Sequence, residues 1–400
     1  MTEIRRLGAE ELDQLSRLHT IVYNSRRDFT KEEKKDPFSY PPDWSWGVFD
    51  KGKLVSAMVE INYLMRFDQH SVPMSGIAGV GTLPEARKGG LVRAIFQKLF
   101  LEAYERGVVF SSLCPFSYGY YRQFGYEVAC ARNRITIPIR EFSHLKIKGE
   151  FTQIFPGDDC SSLAEIHKIY IDKLNHGICR DFWPDDMAWK YFSKNDPYST
   201  GIHLFLWRNE EGESRGYIKY EVQKKNDDYM VSVTELVFKD RDALYGILSI
   251  FGVLGAQIKT FQWLMPSFLN PLDFISADSD MEQQIILRDM TRVINVKTAL
   301  EKMRRPRGEG EYVIEVDDNM IAANKGKFLV EYGPEGSRVS LSQRKPDISC
   351  DLPVFSQLIT GYRTLENALI TKQSGLEVSG NRETLYRVFT QRPQHLTEYF

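Results

Sequence analysis

Between Ala78 and Ala103 the chain reads "AGVGTLPEARKGGLVRAIFQKLFLEA". An apolar, glycine-containing run stops at Pro84. Arg87-Lys88-Gly89-Gly90 follows, and a helical pattern starts at Leu91 with Val92, Ile95, Leu99 and Ala103 on one face. Proline cannot continue a paired strand, and glycine supplies the tight turn. The segment is therefore a strand, a basic glycine turn and a helix N-terminus in direct succession. Backbone N–H groups and the positive end of the helix dipole converge there on one point, which suits a pyrophosphate. Two common phosphate cradles are excluded. The chain has no G-x-x-x-x-G-K-[ST]. It also lacks G-x-G-x-x-G followed by an acidic ribose-binding residue.

The flanking segments alternate strands and helices. "EIRRL" reads as a strand, and Leu12, Leu15, Leu18 and Ile21/Val22 mark a helix. Val48-Phe49 and "LVSAMVEINYLMRF" read as a hairpin around Asp50-Lys51-Gly52-Lys53. A strand over Val72 to Thr82, the strand "VVFSSLCPF", a helical turn "YGYYRQFG" and a last strand "YEVACARNRITIPI" complete the first third. From Phe151 the same order of elements restarts with different residues. From about Ile285 the texture changes to short strands with "KTALEKM", "LPVFSQLITGY" and "RETLYRVF" as helices. The reading is α+β with three domains: 1–148, 149–284 and 285–400.

Lys and Arg total 52 and Asp and Glu 54, for a net charge of −2. That balance argues against a nucleic-acid partner. Cys114, Cys130, Cys160, Cys179 and Cys350 show no C-x-x-C, and a reducing, cytoplasmic setting fits them. The acidic, amphipathic N-terminus is not a signal peptide. The longest apolar stretch, Leu244 to Ile258, is too short to span a bilayer. The seven histidines (His19, His70, His144, His167, His176, His203 and His395) form no metal or triad spacing, so no metal is expected.

Arg87-Lys88-Gly89-Gly90-Leu91-Val92 resembles the acetyl-CoA loop of the GNAT N-acetyltransferases at its arginine and first glycine, and departs from it at Val92. "YYRQFGY", Tyr120 to Tyr126, resembles the aromatic turn with which GNAT folds commonly end. Two GNAT-like stretches, a third α+β stretch and a final "EYF" together resemble the Eis (enhanced intracellular survival) acetyltransferases. The resemblance covers the whole chain. It implies a catalytic GNAT domain, a degenerate one that lacks both motifs, and a sterol-carrier-protein-like domain.

The resemblance places acetyl-CoA contacts on Val80, Gly81 and Thr82, on Lys88 to Arg93 (Lys88, Gly89, Gly90, Leu91, Val92 and Arg93) beside Arg87, and on Phe116 and Ser117. Gly89 stands where relatives often carry Arg. The implied reaction is acetyl transfer to an amine of an aminoglycoside-like polyamine or a lysine side chain, in a homo-hexamer. A backbone N–H near Thr82 would polarise the thioester carbonyl. Tyr121 is the expected general acid, because a phenol is protonated at neutral pH. The resemblance assigns the base to the α-carboxylate of Phe400, which as a weak base would orient the amine or act through a water. Tyr120 and Phe124 are expected in the core. The run "RRDFTKEEKKD", Arg26 to Asp36, reads as a solvated loop, with a cover over the acceptor pocket as the other possibility. Two alternatives of other classes are a lipid carrier built on the last domain and a non-catalytic CoA sensor; the presence of Tyr121 speaks against the second.

Overall fold

The computed structural model describes residues 2–30, 40–146, 148–180, 186–225, 228–275, 280–371, 375–396 and 398. The chain divides into two compact units: Met1–Ala129 with Asp289–Arg392, and Cys130–Arg288 with Pro393–Thr397, residues Glu398–Phe400 counting with the first.

The first unit begins with β1 (Thr2–Arg6), α1 (Leu12–Val22), β2 (Ser45–Asp50), β3 (Lys53–Phe67), β4 (His70–Thr82), α2 (Leu91–Glu105), β5 (Phe110–Leu113) and α3 (Tyr118–Arg122). β1 to β4 are joined antiparallel, and β5 lies parallel to β4. α2 forms because Val92, Ile95, Phe96, Leu99, Phe100 and Ala103 recur three and four residues apart, and all six are buried. β5 is buried along its whole length. Its two hydroxyls are satisfied: Ser111 donates to the Ser75 carbonyl at 3.0 Å, and Ser112 lies 2.9 Å from Thr291 Oγ1.

β6 (Glu127–Pro138) leads into the second unit, which contains β7 (Glu150–Gln153), α4 (Ser161–Ile171), β8 (His176–Cys179), α5 (Met187–Phe192), α6 (Pro197–Thr200), β9 (Ile202–Arg208), β10 (Ser214–Lys225), β11 (Asp228–Phe238), α7 (Arg241–Gly252) and β12 (Ile258–Pro266). Its sheet repeats the plan of the first. β7, β9, β10 and β11 are successively antiparallel, β12 is parallel to β11, and an antiparallel strand closes it. The closing strand is β6, whose Arg132–Pro138 pairs with Pro266–Thr260. In the first unit the equivalent place beside β5 is taken by β13 (Glu282–Val293), through Met290 to Val293. This corrects the element-by-element reading. The strand expected to close the first third pairs with β12, and the "TRVINV" strand expected to open the last third pairs with β5. Local strand propensity does not tell the two segments apart; which lies beside β5 and which beside β12 is set by pairing between remote strands.

Inside the second unit, Arg180 and Glu235 form a buried two-point pair at 2.8 and 2.7 Å. Burial pushes the Glu235 carboxyl up, but Arg180 and the Tyr217 hydroxyl outweigh it and hold the group down at about 2.

The remainder of the chain comprises α8 (Val296–Lys302), β14 (Gly310–Asp317), β15 (Gly326–Gly333), β16 (Gly336–Leu341), β17 (Ile348–Asp351), α9 (Leu352–Ile359), α10 (Leu365–Ile370), β18 (Glu377–Val378), α11 (Arg382–Val388) and β19 (Gln394–His395). Its five-stranded sheet runs β16-β15-β14-β17-β18. It shares the first unit's core: Met290, Ile294 and Ile321 pack in one cluster with Phe96, Tyr121 and Tyr126. Arg392 pairs with Asp68 in the β3–β4 turn and donates to the Ile359 carbonyl at 2.7 Å. The stretch Pro393–Thr397 belongs to the second unit. There β19 pairs parallel with β8, Tyr170 Oη lies 2.7 Å from His395 Nδ1, and Arg132 donates to the Leu396 carbonyl. Among the described residues no helix is long and apolar enough to cross a membrane.

Candidate active site

The site grows out of an irregularity in β4. Ala57 pairs with Gly81 and Val59 with Ala78, so Met58 alone faces both Gly79 and Val80. Such a bulge withdraws backbone groups from the ladder and bends the strand. Gly79 takes φ +58°, and a Cβ there would lie 2.9 Å from His19 Nε2. The pairing of β4 with β5 ends at Ile77 and Leu113, while β4 continues to Thr82. Beyond that point β4 runs on without β5, which ends at Leu113. A crevice at the carboxyl ends of parallel strands is where open α/β sheets bind ligands.

Side chains hold the bulged segment from behind. His19 Nε2 lies 3.0 Å from the Gly79 carbonyl, the Tyr23 hydroxyl donates to the Val80 carbonyl at 3.2 Å, and the Ser56 hydroxyl donates to the Gly81 carbonyl at 3.0 Å. Ser56 also lies 2.8 Å from Thr82 Oγ1. With the carbonyls anchored, the bulge is a fixed source of N–H groups. Burial pushes the His19 imidazole below its ordinary pKa, so it is neutral at pH 7 and acts as a fixed strut.

The basic turn takes the shape the sequence demands. Lys88 and Gly90 both lie in the left-handed region, at φ +66° and +71°. Gly90 is the N-cap of α2 and brings no side chain to cap it. The first N–H groups of the helix, over Leu91, Val92 and Arg93, therefore face outward. A Cβ at Gly90 would meet nothing within 4 Å, so the space above the turn is open. Arg87 donates to the Thr82 carbonyl at 3.3 Å and ties the turn to the end of β4. The Arg93 guanidinium points elsewhere, bonding Gln123 Oε1 at 3.0 Å and lying over the Phe124 ring at 5.2 Å. What Arg93 offers to the turn is its backbone.

The far wall follows β5. Phe116 is 74% exposed, and Ser117 caps α3 by accepting from the Tyr120 N–H at 3.4 Å. Tyr121 is 3% exposed, against the rings of Phe116 at 5.4 Å, Tyr120 at 5.2 Å and Tyr126 at 6.2 Å. Phe124 is in the core as expected. Tyr120 is not, being half-buried, whereas Tyr121 is buried. The order is reversed because the cap at Ser117 sets the phase of the short helix and turns Tyr121 inward. Burial, with Tyr23, Tyr120, Tyr126 and Cys114 nearby, pushes the Tyr121 phenol well above its ordinary value. It holds its proton at every physiological pH.

Val80, Gly81 and Thr82 thus lie at the bulged end of β4, Arg87 to Val92 in the turn and first residues of α2, and Phe116 to Tyr121 directly after β5. Phe400 and residues 31–36 of the Arg26 to Asp36 run lie outside the described residues. Sequence reasoning missed His19, Tyr23 and Gly79. The available signal was the glycine spacing in "AGVG"; the polar side of α1 carries none. Among the described residues no group of three His, Cys, Asp or Glu side chains could hold a metal ion.

Three family models match the chain in series: an acetyltransferase (GNAT) domain over residues 3–129, a second acetyltransferase (GNAT) domain over 184–293, and a sterol carrier protein domain over 296–397. The N-acetyltransferases Eis of Mycobacterium tuberculosis and Mycobacterium bovis are 23% identical over 324 residues, covering 76% of each chain. The fold matches a GCN5-related N-acetyltransferase from Anabaena variabilis over 100% of both chains, with a TM-score of 0.87 and 19% identity. It matches Eis1 from Mycobacterium abscessus over 100% of both chains, with a TM-score of 0.81 and 18% identity.

Proposed function

We propose, for a chain that belongs to the Eis-like family of GNAT N-acetyltransferases and is therefore an acyltransferase, that it transfers acetyl from acetyl-CoA to amines of small polyamines of the aminoglycoside kind or to lysine side chains. The observation that carries this reading is the bulged end of β4, which runs on past the end of β5 at Leu113, followed by the open, uncapped start of α2. The residues fit the pyrophosphate arm: the left-handed Gly90 leaves room, and Arg87, Lys88 and the N–H groups of Gly89 to Arg93 supply charge and donors. Val80, Gly81 and Thr82 of β4, and Phe116 and Ser117 in the segment after β5, would flank the pantetheine arm.

In the reaction the amine nitrogen attacks the thioester carbon and the C–S bond breaks. N–H groups of the bulged segment next to Thr82 hold the developing oxyanion, with no reorganisation because their carbonyls are anchored. Tyr121 donates to the departing sulfur. Its raised pKa makes a free phenolate costly, so the proton it gives is replaced in the same step by the one the amine loses. The α-carboxylate of Phe400 orients the amine or, through a water, relays that proton on its way to Tyr121. Domain limits of 1–148, 149–284 and 285–400, a homo-hexameric assembly and a cytoplasmic setting complete the reading.

Titration calorimetry is expected to give one acetyl-CoA site per chain, and a panel of amines is expected to elicit CoA release. At 100 times Kd the ligand should add about 2.7 kcal/mol of stability. Two sites, none, or no amine-dependent CoA release would overturn the reading.

The carboxylate of Phe400 is tested separately by moving it. A C-terminal tag replaces it with a neutral amide and keeps every side chain. The tagged protein should bind acetyl-CoA normally yet lose most acetylation, while an N-terminal tag is harmless. Equal kcat/KM for the two proteins would make the terminus a bystander.

A further inference from the structure

Arg292 is an arginine whose side chain is fully buried, and so is that of its partner Asp318. It sits in β13 opposite Ser111 of β5. Its Nη2 donates to both Asp318 oxygens, at 3.0 and 2.7 Å, and its Nη1 donates to the carbonyl of Phe124 at 2.6 Å. The guanidinium lies 4.3 Å from the centre of the Phe100 ring. Asp318 in turn accepts from the Met320 N–H and from Asn324 Nδ2, each at 2.9 Å, and Asn324 accepts from the Val296 N–H at 3.0 Å.

Phe124 closes the turn that carries Tyr121. The Phe124 N–H returns to the Tyr121 carbonyl at 3.0 Å, and Tyr126 N–H reaches the same oxygen at 3.4 Å. The Phe124 carbonyl is left as the free end of that turn, and Arg292 takes it. Gly125 follows at φ +84°, where a Cβ would come within 2.4 Å of Arg292 Nη1, so glycine is what admits the guanidinium.

Burying a charged pair is a poor route to stability, since apolar residues of the same volume do as well or better. Here the burial also leaves Arg292 Nε without a hydrogen-bond partner. That costs free energy a purely stabilising arrangement would not forgo. The fork is aimed at Asp318 and Phe124 at the expense of its own third nitrogen.

We propose that Arg292, held by Asp318, is a positioning residue that fixes the Phe124 end of the α3 turn and so places the Tyr121 hydroxyl for proton donation. The inference rests on the reading of Tyr121 as the proton donor. It assigns the C-terminal α+β stretch a role in the chemistry of the first one, transmitted through one ion pair.

The test is a double-mutant cycle on kcat, with acetyl-CoA Kd measured in parallel. Arg292→Met is expected to lower kcat by about 100-fold, the scale of an ångström-sized misplacement, and to change Kd little. In a Tyr121→Phe background the same substitution should cost no more than about twofold, because the group it positions is gone. Additive losses in the two backgrounds would overturn the inference and leave the role of Tyr121 standing. Full turnover by Tyr121→Phe alone would instead remove the proton-donor reading, and this inference with it. If Arg292→Met unfolds, Arg292→Met with Asp318→Asn removes both charges. The pair should recover thermal stability without recovering kcat. Recovery of both together would show that only the ion pair mattered, and would also overturn the inference.

Discussion

Tyr121→Phe lowers kcat by about 10²- to 10⁴-fold, the range general acid catalysis commands, and leaves acetyl-CoA Kd close to that of the parent. The substitution removes one oxygen from a ring already packed among Phe116, Tyr120 and Tyr126. The aromatic contacts stay, so the fold and the crevice are retained. The loss should be largest where departure of the thiolate limits the rate, because that is the step the hydroxyl serves. The tyrosine nearest in kind makes the control. Tyr126 is equally buried, but its hydroxyl lies 2.7 Å from Ser111 Oγ and is committed there. Tyr126→Phe should therefore affect stability more than kcat. Single-turnover rates for the two variants decide the matter; near-full chemistry in Tyr121→Phe would reduce that side chain to packing.

Gly90→Asp weakens acetyl-CoA binding by at least about 100-fold, on the order of 2.7 kcal/mol. Two effects combine. The new carboxylate stands at an uncapped helix N-terminus, where it accepts the very N–H groups a phosphate would use, and its charge repels the ligand. The fold is expected to survive the change, at the local cost of a side chain in the left-handed region. A Cβ at Gly90 meets no neighbour within 4 Å, and Asp is among the few residues that accept the left-handed region. Gly90→Asn separates the causes, since it has the same shape and no charge. It should lose less affinity than the aspartate variant, about tenfold. Calorimetry on folded variants is the measurement. Unchanged affinity in Gly90→Asp would mean that the pyrophosphate sits elsewhere.

Parts of this protein are legible without a structure. The basic glycine turn, the buried face of α2 and the aromatic turn around Tyr121 were all readable, because each is decided by residues within a few positions of one another. A left-handed glycine, a 3.6-residue apolar period and a proline that ends a strand act locally, and so does the recurrence of the same order of elements in the second unit.

What stayed hidden is what distant segments decide together. The bulge at Gly79 exists only against the register of β3, and the struts that hold it, His19 and Tyr23, lie on a helix whose polar side looks ordinary. Tyr120 and Tyr121 differ by one position, and a single cap at Ser117 settled which of them turns inward. Nothing in "TRVINV" announces that Arg292 will be buried beneath the α3 turn. That strand and "YEVACARNRITIPI" are interchangeable by local propensity, yet one closes the sheet beside β5 and the other the sheet beside β12. Short-range sterics and periodicity are enough for the turn, the helix and the aromatic end of the site. Which strand lies beside β5 and which beside β12, and with it the contact of Ser112 with a threonine 179 residues away and the clamp on Phe124, follows from pairing between remote strands, which is chosen across the sheet as a whole and leaves no mark on either strand alone.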